Sequence, residues 1–281
     1  MSNVKIFTDS TSDLTPEILK ENDISVIPLY VNFDDKSFID GITITTEELY
    51  KKVEEYGMLP KTSAATPNDF YNAFKPCIDE GKDIVFIGLS SELSSHLQNA
   101  LLAAGEFQEG RIQIVDSLNL SSAIGLLVMK AVDFSKEGMG AALIAENIKN
   151  LVPKVKTAFV IDTLEYLHKG GRCSALQSFV GSVLKIRPVV KVVNGKMILA
   201  QKLMGKREKA LNTMLQNVIK EKDTIDLSRV MVTHSICNDT EYLKNELGKH
   251  LRAKEIIETQ AGCVISSHCG PNTIGILYIE K

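Results

Sequence analysis

The segment Asp83–Leu89, read Asp-Ile-Val-Phe-Ile-Gly-Leu, is apolar at consecutive rather than alternate positions. A strand with one wet face alternates apolar and polar residues, so a continuous run of this kind predicts a strand buried on both faces. That requires a sheet covered by helices on its two sides. The surrounding sequence agrees. Val4–Thr8 is a short apolar strand, and Thr15-Pro16-Glu17 opens a helix with proline at its first position. Ile24–Phe33 reads as a second strand. Thr45 or Thr46 caps a helix running to about Tyr56. Thr66-Pro67-Asn68-Asp69 resembles a capping box with Asp in the far position, opening a helix through Ile78. A helix from Ser94 to Phe107, a strand at Arg111–Val115, and helices near Ser121–Lys136 and Gly140–Leu151 complete this half. Strands and helices in this order predict an α/β lobe with a doubly wound, mostly parallel sheet.

The second half has a different rhythm. Thr157–Ile161 is a strand, Thr163–Leu167 a helical turn, and Ser174–Leu184 a helix. Pro188–Val193 and Lys196–Leu203 flank Asn194-Gly195, the strongest short hairpin signal in the chain. A long helix covers about Arg207–Ile219. Arg229–His234 is a strand, Asp239–His250 a helix, Ile256–Glu258 a short strand and Thr273–Glu280 a last strand. These elements predict a second α/β lobe with a mixed sheet and an added hairpin. A boundary near Pro153 divides the chain into residues 1–153 and 154–281, with a ligand cleft expected between the lobes.

With 281 residues, a net charge of -3 and 24% charged residues, the chain is of ordinary globular composition. It lacks the basic field of a nucleic-acid binder, and no apolar run reaches the length of a membrane span. The chain enters its first strand without a signal-like segment, so a cytoplasmic protein is expected. Five cysteines, an odd number without a Cys-x-x-Cys pair, fit reduced thiols better than a disulfide framework. A zinc site drawn from His234, Cys237, Cys263, His268 and Cys269 is the competing use. Their spacing matches no compact ligand set beyond the first pair, and burial as small hydrophobes is preferred.

The chemistry-bearing residues are hydroxyls at elbows: Asp9-Ser10-Thr11-Ser12-Asp13, Lys61-Thr62-Ser63, Ser90-Ser91-Glu92-Leu93-Ser94-Ser95, and Ser266-Ser267-His268-Cys269-Gly270-Pro271. Neutral donors gathered at helix starts suit the binding of an anion. Plain N-capping is the simpler use of each one taken singly. A phosphatase with Asp9 as nucleophile would want a second Asp two residues on, where Thr11 stands. Asp9 and Asp13 are therefore read as acceptors that fix their loop. Ser94 has no Gly-x-Ser-x-Gly elbow, and a Cys269–His268 nucleophile pair would join sequence neighbours that seldom face each other. His268 is placed in a tight turn, and Thr62 and Ser63 in a loop. Gly170 and Gly171 allow a sharp turn presenting Arg172. Arg207 heads a helix, where a cation opposes the dipole. That misfit hints at a partner, although a solvated charge is the simpler reading. Ala123, Ile124, Leu126, Leu127 and Val128 fit either the wall of a tunnel or ordinary core.

In order and spacing, Thr8-Asp9-Ser10-Thr11-Ser12-Asp13-Leu14, Lys61-Thr62-Ser63 with Pro67, Leu89-Ser90-Ser91…Leu93-Ser94, Val115-Asp116-Ser117, Leu164 to Arg172 and His268-Cys269-Gly270-Pro271 resemble the DegV family over the full length. The likeness is to the fatty-acid-binding subunits of bacterial fatty acid kinase. The resemblance implies a long-chain fatty acid as ligand, no cofactor and no catalytic residue. Its carboxylate would be held by Thr62, Ser94 and His268, with Ser63 and Ser95 beside them. A separate ATP-dependent kinase subunit would phosphorylate that carboxylate to an acyl phosphate, feeding phospholipid synthesis. Arg172 and Arg207 match its kinase-facing or phosphate-facing positions. Asp9, Ser10, Thr11, Gly170 and Gly171 would shape loops. Contact with a membrane would be at most transient, for lipid exchange. A stand-alone carrier or sensor of another amphipathic acid is the alternative. Three departures bear on the site: Ala64-Ala65 where the family has Gln-Pro, Ser95-His96 where it has Gly-Thr, and Asn272 where glycine is common.

Overall fold

The computed structural model describes residues 3–172 and 186–281; the helix expected at Ser174–Leu184 lies outside them. The chain begins with β1 (Val4–Asp9), a short 3-10 turn and α1 (Pro16–Glu21), then β2 (Ser25–Ile27), β3 (Tyr30–Phe33) and β4 (Lys36–Ile39). It continues through α2 (Thr46–Tyr56), β5 (Lys61–Ser63), α3 (Pro67–Asp79), β6 (Asp83–Gly88), α4 (His96–Ala104) and β7 (Ile112–Asp116). Then follow α5 (Ser122–Lys136), α6 (Ala141–Leu151), β8 (Val155–Val160), α7 (Glu165–Gly170), β9 (Ile186–Val193) and β10 (Lys196–Met204). The last elements are α8 (Arg207–Lys220), β11 (Ile225–Ser235), α9 (Thr240–His250), β12 (Glu255–Gln260), α10 (Cys263–Cys269) and β13 (Thr273–Glu280).

Four strands in the order β2-β1-β6-β7 form a wholly parallel sheet. β6 carries the apolar run, and it is buried on both faces as expected. Ile84 and Phe86 pack with Phe70, Phe74 and Leu97 of α3 and α4. Val85 and Ile87 pack on the opposite side with Ala123, Ile124 and Ile144 of α5 and α6. The capping residues set the helix starts. Thr66 Oγ1 accepts from the Asp69 amide at 3.2 Å while Asp69 Oδ2 accepts from the Thr66 amide at 2.8 Å, and Thr45 and Glu48 close the equivalent box on α2.

Six strands in the order β10-β9-β8-β13-β11-β12 form the second, mixed sheet, in which only β11 and β12 run parallel. Its outer face packs on α8 and α9 through Leu211, Met214, Val218, Leu243 and Leu247. Its inner face meets α5, whose residues from Ser122 to Met129 are all buried. A helix apolar on every side belongs between two layers, and α5 fills that place. Asn194 and Gly195 turn the β9–β10 hairpin at φ 49° and 80°, the left-handed pair of a type I′ turn.

Two expectations need correcting. Ile24–Phe33 is two strands in different sheets, because Pro28 has no N–H for a ladder and stands between them. β3 instead centres a small antiparallel sheet, β4-β3-β5. Thr62 and Ser63 therefore lie on a strand, held in register with Val31 and Tyr30. No helix among the described residues is long and apolar enough to cross a membrane.

Candidate functional site

Between the two sheets lies a cavity of about 330 Å³, within the range of small-ligand sites. Thr62, Ser63, Ser94, Ser95, Arg172 and His268 all line it. They arrive from four separate segments. Thr62 and Ser63 come from β5, Ser94 and Ser95 from the elbow before α4, and Arg172 from just beyond α7. His268 comes from α10, a helix where a tight turn was expected. The run Cys263-Val264-Ile265-Ser266-Ser267 is β-branched and small, with little intrinsic helix propensity. Burial on three sides overrides that preference.

Thr62 Oγ1 and His268 Nε2 are 2.9 Å apart. His268 Nδ1 is sealed from solvent and has no hydrogen-bond partner among the described residues. Burial first, and the Arg172 charge second, push the imidazole down to about 4, so the ring is neutral at pH 7. A buried orphan N–H is rarer than a buried orphan acceptor. That places the proton on Nε2, donating to Thr62 Oγ1. The Thr62 hydroxyl hydrogen is then free to point into the cavity. Ser94 Oγ accepts from the His96 amide at 3.2 Å, and Ser63 Oγ accepts from Asn32 Nδ2 at 3.0 Å. Each of these hydroxyls also keeps its hydrogen for a ligand.

Several other hydroxyls around the cavity are already committed. Ser121 donates to Asp13, Thr157 to Asn119 Oδ1 at 2.8 Å and Thr273 to the Cys269 carbonyl at 2.9 Å. Leu89, Leu93, Leu120, Phe159, Met197 and Leu277 supply apolar wall. The cavity lining thus combines apolar side chains with hydroxyls whose hydrogens are not spent on protein acceptors. The apolar face of α5 named above does not line it; Ala123, Ile124, Leu127 and Val128 are core, and the loop residues Leu120 and Ser121 take the wall position. No periodic signal marks those loop and strand residues, which is why the sequence alone did not single them out.

Asp9 lies outside the cavity. Its Oδ1 accepts from the Thr11 amide at 2.9 Å and the Thr11 hydroxyl at 2.5 Å, and its Oδ2 from the Leu89 amide at 2.7 Å. Fully buried, it offers no face to a phosphoryl group. Ser10 Oγ accepts from the Leu29 amide at 3.1 Å. Gly170 packs on the His268 ring, and Gly171 ends α7 at φ 69°. Cys269 is buried and its thiol is pushed up to about 12, which leaves no thiolate for a Cys–His pair. Among the described residues no three His, Cys, Asp or Glu side chains group as metal ligands.

Arg207 does not join the cavity either, and it is not a solvated charge. Its guanidinium bonds Asp239 Oδ2 at 2.6 Å and Asp162 Oδ1 at 2.7 Å, so both carboxylates offset the dipole misfit at the head of α8. Two of the departures from the family pattern meet each other. The Ala65 amide donates to Nδ1 of the buried His96 at 3.2 Å, and Asn272 takes the left-handed φ of 61° that glycine would.

The fold thus sets a cavity with mixed apolar and hydroxyl lining between its two main sheets. The model of a family described as an uncharacterised protein, DegV family, matches residues 3–281. A DegV domain-containing protein of Caldanaerobacter subterraneus is 32% identical over 285 residues, covering 100% of both chains. A structure described as fatty acid binding of a DegV family protein from Thermus thermophilus matches at TM-score 0.91 and 30% identity, covering 100% of each chain. A protein from Thermotoga maritima, described as revealing fatty acid binding function, matches at TM-score 0.85 and 30% identity, again over 100% of each. The chain belongs to the DegV family.

Proposed function

We propose that this protein binds one long-chain fatty acid, with the carboxylate at Thr62, Ser94 and His268 and the tail along the apolar wall. The observation that carries this reading is the division of donors. The hydroxyls of Thr62, Ser63 and Ser94 line the cavity with hydrogens not spent on protein acceptors, while Ser121, Thr157 and Thr273 donate to protein. A buried carboxylate costs several kcal/mol unless donors surround it. Each methylene of the tail contributes about 0.8 kcal/mol when removed from water. The fatty-acid-binding relatives support the assignment.

The second part of the proposal is substrate presentation. A cytoplasmic, ATP-dependent kinase subunit phosphorylates the held carboxylate to an acyl phosphate for phospholipid synthesis, with no cofactor on this chain. The sequence has no Gly-x-x-x-x-Gly-Lys-Ser/Thr loop. Arg172, exposed and lining the same cavity, is the cation placed to meet the incoming phosphate.

Mass spectrometry on the purified protein, native and then denatured with organic extraction, tests the binding reading. One fatty acid per chain is the expected result. A protein that is empty and takes up no added fatty acid would refute it.

A further inference from the structure

β8 is paired with β13 from Val155 to Val160. On its other side the ladder with β9 spans only three pairs: Ala158↔Lys191, Phe159↔Val190 and Val160↔Val189. Below that point the two strands diverge. Val155, Lys156 and Thr157 face Val192 and Val193 without ladder partners across the gap, while Val192 and Val193 stay paired with β10. The sheet is split by a wedge. A second hollow of about 440 Å³ occupies it, lined by Val155, Val192 and Val193 from the strands, Met214 and Val218 from α8 and Leu118 from the loop before α5, together with charged side chains that include Lys156, Lys191, Glu221 and Glu280.

This hollow and the inner cavity share Thr157 and Ala158 as lining residues. The loop before α5 divides between them. Leu118 and Asn119 face the wedge, and Leu120 and Ser121 face the inner cavity. Leu118 and Ser121 hold left-handed φ values of 45° and 58°, an uncommon backbone for such residues and one that the surrounding contacts must enforce. Across the partition runs one hydrogen bond, Thr157 Oγ1 to Asn119 Oδ1 at 2.8 Å, both side chains buried.

We infer that the Asn119–Thr157 bond is the stop that ends the acyl cavity, and that the wedge between β8 and β9 is a second subsite for the terminal carbons of longer acyl chains. This rests on the fatty-acid reading above. A chain that fits the inner cavity ends against the Thr157 and Leu120 side. A longer one must displace the bond, leaving the buried Thr157 hydroxyl without its acceptor while Asn119 Oδ1 keeps only the Leu120 amide at 3.2 Å, before its end reaches the wedge. The stop therefore selects by length. Affinity rises about fourfold per methylene up to the limit and falls beyond it.

The test uses a series of saturated acids of increasing length, with dissociation constants for the wild type, Asn119→Ala, Thr157→Val and the pair. The variants are expected to move the length optimum up by two or more carbons while the shortest acids bind unchanged. The chain has no tryptophan, so Val193→Trp, at an exposed wedge position, introduces a unique fluorophore without touching the core. An acid brominated at its terminal carbon should quench that indole only when it exceeds the wild-type length limit, or in the Asn119→Ala background. An unshifted optimum together with no quenching at any length overturns the stop while leaving fatty-acid binding intact. A protein that binds no acid of any length overturns both.

Discussion

Gly170 lies so close to His268 that a β-carbon at position 170 would sit 2.3 Å from the imidazole Nδ1. No side chain can occupy that position unless the ring moves. α7 thus seals the histidine by backbone contact, and the seal is what leaves Nδ1 without a partner among the described residues. Gly170→Ala sets two effects against each other. In a helix, alanine is favoured over glycine by about 1 kcal/mol, which acts on stability. The displaced ring loses its 2.9 Å contact with Thr62, which acts on binding. The expected outcome is a melting temperature within a few degrees of wild type and fatty-acid affinity reduced by about tenfold. Displacement of a fluorescent fatty acid beside a thermal melt reads both.

Thr62 and His268 act as one unit if the imidazole donates to the hydroxyl and the hydroxyl donates to the carboxylate. Hydrogen bonds to charged groups contribute about 1.5–3 kcal/mol, so Thr62→Val is expected to weaken binding by roughly ten- to a hundredfold. His268→Ala then adds little, because the relay is already broken. Ser94→Ala, on a different segment, should be additive with either. A double-mutant cycle on ligand dissociation constants checks this. Additive losses for Thr62 and His268 would refute the relay.

Much of this was legible in the residues, and the exceptions have identifiable causes. The buried strand β6 and the capping boxes of α2 and α3 are written in local sequence, and the structure follows them. Thr62, Ser94 and His268 were readable as donors, but not their supports. His268 was placed in a turn because the glycine and proline after it are stronger local signals than the weak helix former Cys263–Ser267. Arg207 looked solvated because Asp162 and Asp239 lie 45 and 32 residues away. Pairings over such distances leave no periodic trace. The wall residues Leu120, Phe159 and Leu277 likewise come together only when the sheets pack.

The depressed His268 pKa has a consequence for stability against pH. The ring titrates near 6.5 when unfolded and near 4 when folded. Between these values the unfolded chain binds the extra proton, so His268 contributes stability that is complete above 6.5 and is lost as pH falls towards 4. Buried His96 shifts in the same direction. Buried Asp13 and Asp40 are raised and oppose the trend, gaining stability as they protonate. Replacing His268 by Gln should therefore flatten the fall in melting temperature between pH 6.5 and 4. An imidazole of His268 seen by NMR to protonate between pH 6 and 7 in the folded protein would contradict the burial that produces this shift.

Arg207 ties the head of α8 to Asp162, which follows β8, and to Asp239, which precedes α9. Its side chain is only 20% exposed. Removing the guanidinium strips both partly buried carboxylates of their close counter-charge, leaving Asp162 only Arg187 at 3.7 Å. A fully buried pair broken in this way costs about 3–5 kcal/mol, and partial solvent access here reduces that to about 1–3 kcal/mol. Arg207→Ala should therefore lower the urea midpoint. Arg207→Lys should recover part of the loss, since one ammonium cannot match the two-sided fork of a guanidinium. Adding Asp239→Asn to Arg207→Ala removes one of the stranded charges and should restore some stability. The same three variants separate a clamp from a docking cation. If Arg207 is a clamp, any effect on a kinase partner follows the melting temperature. If it meets the partner directly, Arg207→Lys would retain stability and still lose the pairing.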